Sequence, residues 1–343
     1  MHVINAINVR DALPDAVDYL LEYGLREQTR YGEVLSAPGP VCIQYLHPKE
    51  HVLLSPVRDA NPFFHLIEAM WMLAGRQDGV FLDSYIKDFS KRFGNNGIIM
   101  DSYGWRWRHA LRMDQLDEIV AQLRKDPTTR QAVLQMWGAG VQELMSASAK
   151  PCNLICTFRI LDGKLDMTVF NRSNDLIWGC CGANAVHFPI MQEYMAARIG
   201  VEVGRYHQIS TNLHLYQAHI NMMEKRFKDP ISFSHSLKDT YTYGSTQPLV
   251  TVPLQFDNDL QNIMSSIEQL HTDGETSFGR IQNGFLREVV VPMALAHHYY
   301  KKKNQQGAYE AIETVIAEDW RTAGRQWLDR RHNERVRRQS STA

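Results

Sequence analysis

The stretch 151-PCNLICTFRILDGKLDMTVFNRSND-175 decides the fold class. Leu154, Cys156, Phe158 and Ile160 alternate on one arm, and Leu165, Met167 and Val169 on the other, about Asp162-Gly163. Period-two alternation on both sides of an Asp-Gly pair predicts a β-hairpin with one buried face. Upstream, AVLQMW at 132–137 reads as a further strand, and downstream the apolar pattern gives way to five polar groups, Asn171 to Asp175. Strands in this middle region sit between helical signals, as one large α/β or α+β domain would have them.

The helical signals are punctuated. Asp15 to Tyr23 reads as a helix closed by Gly24. Asn61 suits an N-cap, Pro62 the first helical position, and Phe63 to Leu73 runs almost wholly apolar to Gly75, so that helix is expected to be buried. Inside it lies Glu68, with Phe64 and Trp71 on the same face. Leu116, Ile119, Val120 and Leu123 keep the helical period until Asp126-Pro127. A helix over 183–199 carries Pro189 and should bend there. Beyond 255 the signals are mostly helical, ending in a helix over 308–331.

A chain of 343 residues with 44% hydrophobic and 22% charged residues can bury a large core, which excludes disordered and fibrous classes. With 37 basic against 38 acidic residues, no global charge favours a nucleic-acid or membrane partner, so an anion site must be local. The basic run Arg330 to Arg338 reads as a solvated face. Five cysteines without a C-x-x-C pair fit free thiols in a reducing compartment, not a disulfide framework or a zinc ribbon. There is no signal peptide or apolar run of membrane length, and a cytoplasmic location is expected. No repeat or flexible linker divides the chain, which reads as a main domain over 1–254 with a helical extension over 255–343.

Several residues could carry chemistry. Cys152 opens a strand near arginines, and nearby positive charge lowers a thiol pKa from ~8.5 toward neutrality. By itself a strand cysteine is more often a small buried hydrophobe, the reading kept for Cys42, Cys156, Cys180 and Cys181. In the polar run, Arg172 could grip an anion in forked geometry, with Ser173 adding a hydroxyl and Asp175 accepting from a ring N–H; a solvated turn with an Arg–Asp pair fits equally. In an extended 212–216 segment, His214 and Tyr216 share one side, suited to a sugar hydroxyl or to a hydrogen-bonded core. Gly138-Ala139-Gly140 lacks the third glycine of a dinucleotide site, no phosphate-binding glycine loop or serine-hydrolase elbow is present, and no metal site is expected.

The collinear series 68-EAMWMLAG-75, 103-YGWRWR-108, 126-DPTTR-130, 151-PC-152, 172-RSND-175, 178-WG-179, Asn184 and 214-HLY-216 resembles the thymidylate synthase family, which includes the pyrimidine-nucleotide hydroxymethylases. The resemblance runs from about Arg30 to Tyr216. It implies an α+β fold in which a mixed β-sheet is covered by helices and two copies pair through the sheet face. It also implies that Cys152 adds to C6 of a pyrimidine nucleoside monophosphate, so that C5 attacks the one-carbon unit of 5,10-methylenetetrahydrofolate. Arg30, Arg130, Arg172 and Ser173 would hold the phosphate, with Arg130 crossing the homodimer interface. Asn184 would read the base, and His214 with Tyr216 the sugar. Glu68 would organise proton transfers, Tyr103 would assist loss of the C5 proton, and Trp71, Asp175 and Gly179 would lie on the folate side.

The chain also departs from that pattern. Asn153 stands where synthases have histidine, Gln131 where a second arginine follows the first, and Gly179 to Asn184 is one residue longer than Gly-x-Pro-Phe-Asn, with Ala183 the rival of Asn184 for the base. The apolar C-terminal segment that closes synthases over folate is not apparent. Closure keeps water from the exocyclic methylene intermediate. Its absence favours water as acceptor and hydroxymethylation of dCMP or dUMP. Reductive methylation of dUMP, and a nucleotide- or RNA-binding protein without chemistry, are the alternatives. An asparagine amide can face uracil or cytosine, so the base stays open.

Overall fold

The computed structural model describes residues 1–138, 150–226 and 241–341. Elements follow in the order β1 (His2–Ala6), α1 (Val9–Tyr23), β2 (Leu25–Thr29), β3 (Gly32–Ser36), β4 (Val41–Tyr45), α2 (Pro62–Leu73), α3 (Gly79–Leu82), α4 (Phe89–Phe93), α5 (Tyr103–Arg108), α6 (Gln115–Lys125) and β5 (Val133–Gln135). Then come β6 (Asn153–Leu161), β7 (Lys164–Asn171), β8 (Asn174–Asp175), a π-helical segment (Leu176–Ala183), α7 (Asn184–Ile199), β9 (Glu202–Ser210), β10 (Leu213–Tyr216) and α8 (Gln217–Arg226). The C-terminal part holds α9 (Phe256–Asp273), a π-helical turn (Leu286–Val290), α10 (Val291–Lys301), α11 (Gln305–Glu313) and α12 (Glu318–Ser341).

The hairpin is β6–β7. Asp162 and Gly163 both take positive φ, 49° and 72°, as its two-residue turn requires. The six-stranded sheet has the order β1-β4-β9-β7-β6-β5, with β1/β4 and β7/β9 parallel and the other pairs antiparallel. A second sheet, β2-β3-β10-β8, lies beside it. Cys156, Phe158, Leu165, Met167 and Val169 are buried on one face, whereas Ile155, Thr157, Thr168, Phe170, His207 and Ile209 on the other stay half-exposed.

Helix α2 is the core element. Asn61 Oδ1 accepts from the Phe64 amide at 3.2 Å, Pro62 occupies the first turn, and all its residues except Phe64 are buried. The helices beyond 255 pack directly on it. Trp327 of α12 meets Phe63 edge-on at 5.4 Å, and α9, α10 and α12 all touch α2, so one hydrophobic core runs through both parts of the chain.

Four expectations change at their edges. Helix α1 starts at Val9, not Asp15, because the Asn8 side chain accepts from the Arg10 amide and supplies an earlier cap. The strand expected over 132–137 is a regular ladder only over Val133–Gln135, although the Ala132 carbonyl and the Met136 and Trp137 amides still bond to the 154–158 backbone. The helix expected from 183 begins as α helix at Asn184, behind the π-helical segment. The last helix is two: at Thr314-Val315 the hydrogen bonds tighten to three-residue spacing, and three successive β-branched residues lower helix propensity there. The basic tail is not merely solvated, since Arg330 Nε and Arg331 Nη2 reach the Asp59 carboxylate at 2.9 and 2.6 Å. The Gly138-Ala139-Gly140 motif lies, past its first residue, outside the described residues.

Phe63 joins the packing of α2, α10 and α12, so Phe63→Ala should cost about 3–5 kcal/mol by cavity formation. Urea unfolding monitored by tryptophan fluorescence checks this, with a single transition expected if both parts share one core.

Candidate active site

Strand ends bring the candidate residues together. Cys152 sits immediately before β6, and the Arg172 amide, immediately after β7, donates to its carbonyl at 2.9 Å. β8 then runs parallel to β10, placing Asp175 opposite His214. Leu213 and Leu215 are wholly buried, so His214 and Tyr216 share the half-exposed face, with rings 5.2 Å apart. His214 Nδ1 pairs with Asn212 Oδ1 at 3.1 Å. The Tyr216 phenol lies within electrostatic reach of Asp175, Arg30 and Cys152, which places these four groups in one neighbourhood. Arg30 itself is exposed in the β2–β3 turn, its guanidinium 4.6 Å over the Tyr31 ring. Ser173 is half-buried beside Arg172, while Arg130 stands exposed in the loop leading to the edge strand β5.

Arg172 spends two donors on the chain that carries the cysteine. Its Nε and Nη2 donate to the Pro151 and Lys150 carbonyls, both at 3.0 Å, and Nη2 lies 3.8 Å from Cys152 Sγ. The cation favours the thiolate, yet burial, reinforced by Asp101 and Asp175, outweighs it and pushes the Cys152 thiol above its ordinary value. The expectation of a thiol tuned toward neutrality is therefore corrected: desolvation dominates, and the resting group is protonated at pH 7.

Tyr103 opens α5, its ring stacked 6.2 Å from Phe188 and its hydroxyl beside the backbone of Cys152 and Asn153. Burial raises its pKa. Gly104 permits this placement, because a side chain there would collide with the Met72 backbone at the end of α2. Within α2, burial pushes the Glu68 carboxyl up to about 8 and the facing His187 down to about 3. Glu68 Oε2 lies 3.2 Å from His187 Nε2, and the other ring nitrogen engages the His65 carbonyl. These two groups are a neutral acid and a neutral imidazole at pH 7, not an ion pair. Trp71 is corrected: it is a core residue, buried, with its indole N–H directed to Asp78 at 3.2 Å, and offers no surface to a ligand.

Residues 14–238 match the family described as thymidylate synthase. The deoxyuridylate hydroxymethyltransferase of Pseudomonas phage M6 is 38% identical over 343 residues, covering 96% of this chain and 95% of that protein. This chain belongs to the thymidylate synthase family. The deoxyuridylate hydroxymethyltransferase of Bacillus phage SP01 is 38% identical over 204 residues, 54% of this chain and 53% of its own. The thymidylate synthase of Oenococcus oeni is 26% identical over 170 residues, 47% of this chain and 51% of its own.

The family's departures now have a geometry. Asn153 is wholly buried and its amide donates to Asn171 Oδ1, leaving Asn153 Oδ1 without a partner among the described residues. The extra residue after Gly179 falls where the 176–183 segment kinks, with Cys181 and Gly182 taking non-helical angles of φ −99°, ψ 23° and φ −121°, ψ −113°. Asp175 caps this segment, accepting from the Ile177 and Trp178 amides at 2.7 and 3.2 Å. Gly179 lies against the Asn174 amide, where an added Cβ would stand 2.6 Å from Oδ1. Asn184, the first residue of α7, is buried with its Nδ2 on Asn174 Oδ1 at 3.2 Å.

Sequence reasoning missed His219 and Arg58 and gave Trp178 no role. His219 lies 3.6 Å from the Asp175 carboxylate and accepts from Trp178 Nε1 at 2.5 Å. The half-exposed Trp178 ring covers the buried Arg58 guanidinium at 4.3 Å, and Arg58 Nε donates to the Ile177 carbonyl at 3.1 Å. An arginine inside an otherwise apolar loop, followed by Asp59, was the available signal.

A protonated, partly buried thiol predicts a definite reactivity. Alkylation of Cys152 by iodoacetamide should accelerate roughly tenfold per pH unit to at least pH ~8.5. Arg172→Ala should slow it further at each pH, because among the described residues the Arg172 guanidinium is what lowers the thiol pKa. Mass spectrometry of the modified peptide measures both rates, and a plateau below pH 7 would contradict the assignment.

Proposed function

We propose that this protein transfers a one-carbon unit from 5,10-methylenetetrahydrofolate to C5 of a pyrimidine nucleoside monophosphate and releases a 5-hydroxymethyl nucleotide, with deoxyuridylate as substrate. The observation that carries this reading is the match to a deoxyuridylate hydroxymethyltransferase over 96% of the chain, joined to the meeting of Cys152 and Arg172, at the end of the six-stranded sheet, with Asp175, His214 and Tyr216 of the four-stranded sheet. A binding protein without chemistry has no use for a cysteine held against an arginine at that point.

Cys152 forms the bond to C6, and C5 thereby becomes nucleophilic; covalent addition divides one hard substitution into easier steps. The thiol must lose its proton as it attacks, since burial keeps it protonated beforehand. The cosubstrate supplies the one-carbon unit at the oxidation level of formaldehyde. Tyr103, beside the Cys152 backbone, assists departure of the C5 proton, and neutral Glu68 can hand a proton to a departing group or take one back near pH 8. Arg30, Arg172 and Ser173 hold the phosphate, and His214 with Tyr216 takes the sugar. Arg130, exposed near the edge strand, would reach the phosphate of a second copy paired through the half-exposed sheet face. Asp175 and Trp178 present a carboxylate and an open aromatic face that fit the folate ring system.

Water completes the reaction by adding to the exocyclic methylene, and elimination of Cys152 restores the ring.

With C5-labelled deoxyuridylate and methylenetetrahydrofolate, the protein should release the label and form tetrahydrofolate, not dihydrofolate. Mass spectrometry should find the hydroxymethyl product. Cys152→Ala should abolish turnover while leaving nucleotide affinity within a few-fold. Stoichiometric dihydrofolate with a methyl product would instead make it a synthase, and no label release would leave a binding protein.

A further inference from the structure

Asn184 can present its amide to a base in two orientations, and a chain of buried amides decides between them. The chain starts at a group with one possible role: the Cys180 backbone carbonyl can only accept. Gln208 reaches it at 2.9 Å, so the Gln208 atom there is Nε2 and the opposite atom is Oε1. Asn174 meets Oε1 at 2.9 Å, so it must present Nδ2, which also reaches Ser210 Oγ at 3.0 Å. Asn174 Oδ1 then points at Asn184, and the atom it meets at 3.2 Å must be Nδ2. Turning over any one amide sets two acceptors or two donors face to face within a dry interior: Gln208 is fully buried, and Asn174 and Asn184 nearly so. Gly179 completes the arrangement, because any side chain there would displace Asn174 Oδ1.

We propose that Gln208 and Asn174 are positioning residues that lock the amide of Asn184 in one orientation and thereby set the selectivity between uracil and cytosine. The proposal rests on the reading of Asn184 as the base-contacting residue. At C4 and N3 uracil offers an acceptor and a donor, and cytosine a donor and an acceptor. With C6 held at Cys152 the ring cannot slide to compensate, so an amide fixed in space pairs with one base and opposes the other. Neither positioning residue touches the nucleotide.

The test is a ratio. Wild type should prefer deoxyuridylate over deoxycytidylate both in Kd, by calorimetry, and in kcat/KM for C5 label release. Gln208→Met removes the donor and acceptor at similar volume, frees Asn174 to turn, and should reduce both preferences by about tenfold or more. Gln208→Glu, protonated in this interior, still accepts from Asn174 and can donate to Cys180, so it should restore the preference to within about threefold of wild type. A merely structural role would change melting temperature and overall activity but leave the ratio intact, and an unchanged ratio in folded Gln208→Met overturns the proposal. Should that variant not fold, Asn174→Ser carries the same expectation, because a hydroxyl both donates and accepts and cannot orient its neighbour. Label release tests the proposed reaction separately: if wild type binds deoxyuridylate selectively without releasing label, the reaction fails while the Kd ratio still judges the lock. A wild type that binds both bases equally also overturns it.

Discussion

The antiparallel register of β6 and β7 is the constraint on which the site depends. Because Asn153 faces Asn171, the next residues outward, Cys152 and Arg172, emerge side by side, and the Arg172 amide binds the Cys152 carbonyl. A slip of one residue would send Cys156, Phe158, Leu165, Met167 and Val169 to the half-exposed face and the polar neighbours into the core. The cost of misplacing that apolar set therefore protects the position of a sulfur that is not part of it. The bulge between Asn153 and Ile155 adds a local bend at the end where the cysteine stands.

Desolvation governs the chemistry of the surrounding groups. Glu68, His187, Tyr103 and Cys152 lie on different elements, yet burial pushes each toward its uncharged form. Glu68 with His187, and Tyr103 with Cys152, are thus uncharged neighbours rather than ion pairs, and separating charge within either pair would be costly in a medium of low dielectric. Arg172 and the phosphate it is proposed to hold are then the charges that matter, and Arg172 stays exposed enough to receive an anion.

Much of this was legible in the sequence because it rests on local rules. The Asp162-Gly163 hairpin, the Asn61-Pro62 start of α2 and the alternation through His214 and Tyr216 are each specified by neighbouring residues. The amide chain was not legible, as Asn174, Asn184 and Gln208 are brought together by β8, α7 and β9 from separate parts of the chain. Trp71 misled for a related reason: its place in a family-like motif was visible, whereas Asp78, which takes its indole N–H, comes from the next loop. The thiol of Cys152 was misjudged because counting arginines in sequence says nothing of how much water its own neighbours exclude.

The C-terminal helices enter the site through contacts in series. Arg330 and Arg331 of α12 hold Asp59, a residue in the left-handed region with φ 51° and therefore one that needs external support. The adjacent Arg58 lies under the Trp178 ring and donates to the Ile177 carbonyl, next to the cap made by Asp175. Trp178 in turn donates to His219, which stands beside the Asp175 carboxylate. A run of arginines that reads as a solvated surface is thus tied, through two buried or half-buried residues, to the wall of the candidate folate site. The match to the phage M6 protein covers 96% of this chain, while the Oenococcus oeni synthase matches 47% of it. The extension is therefore best understood as part of the framework that holds the 51–61 loop against the 176–183 segment, since Arg330 and Arg331 both close on the buried Asp59 carboxylate of that loop.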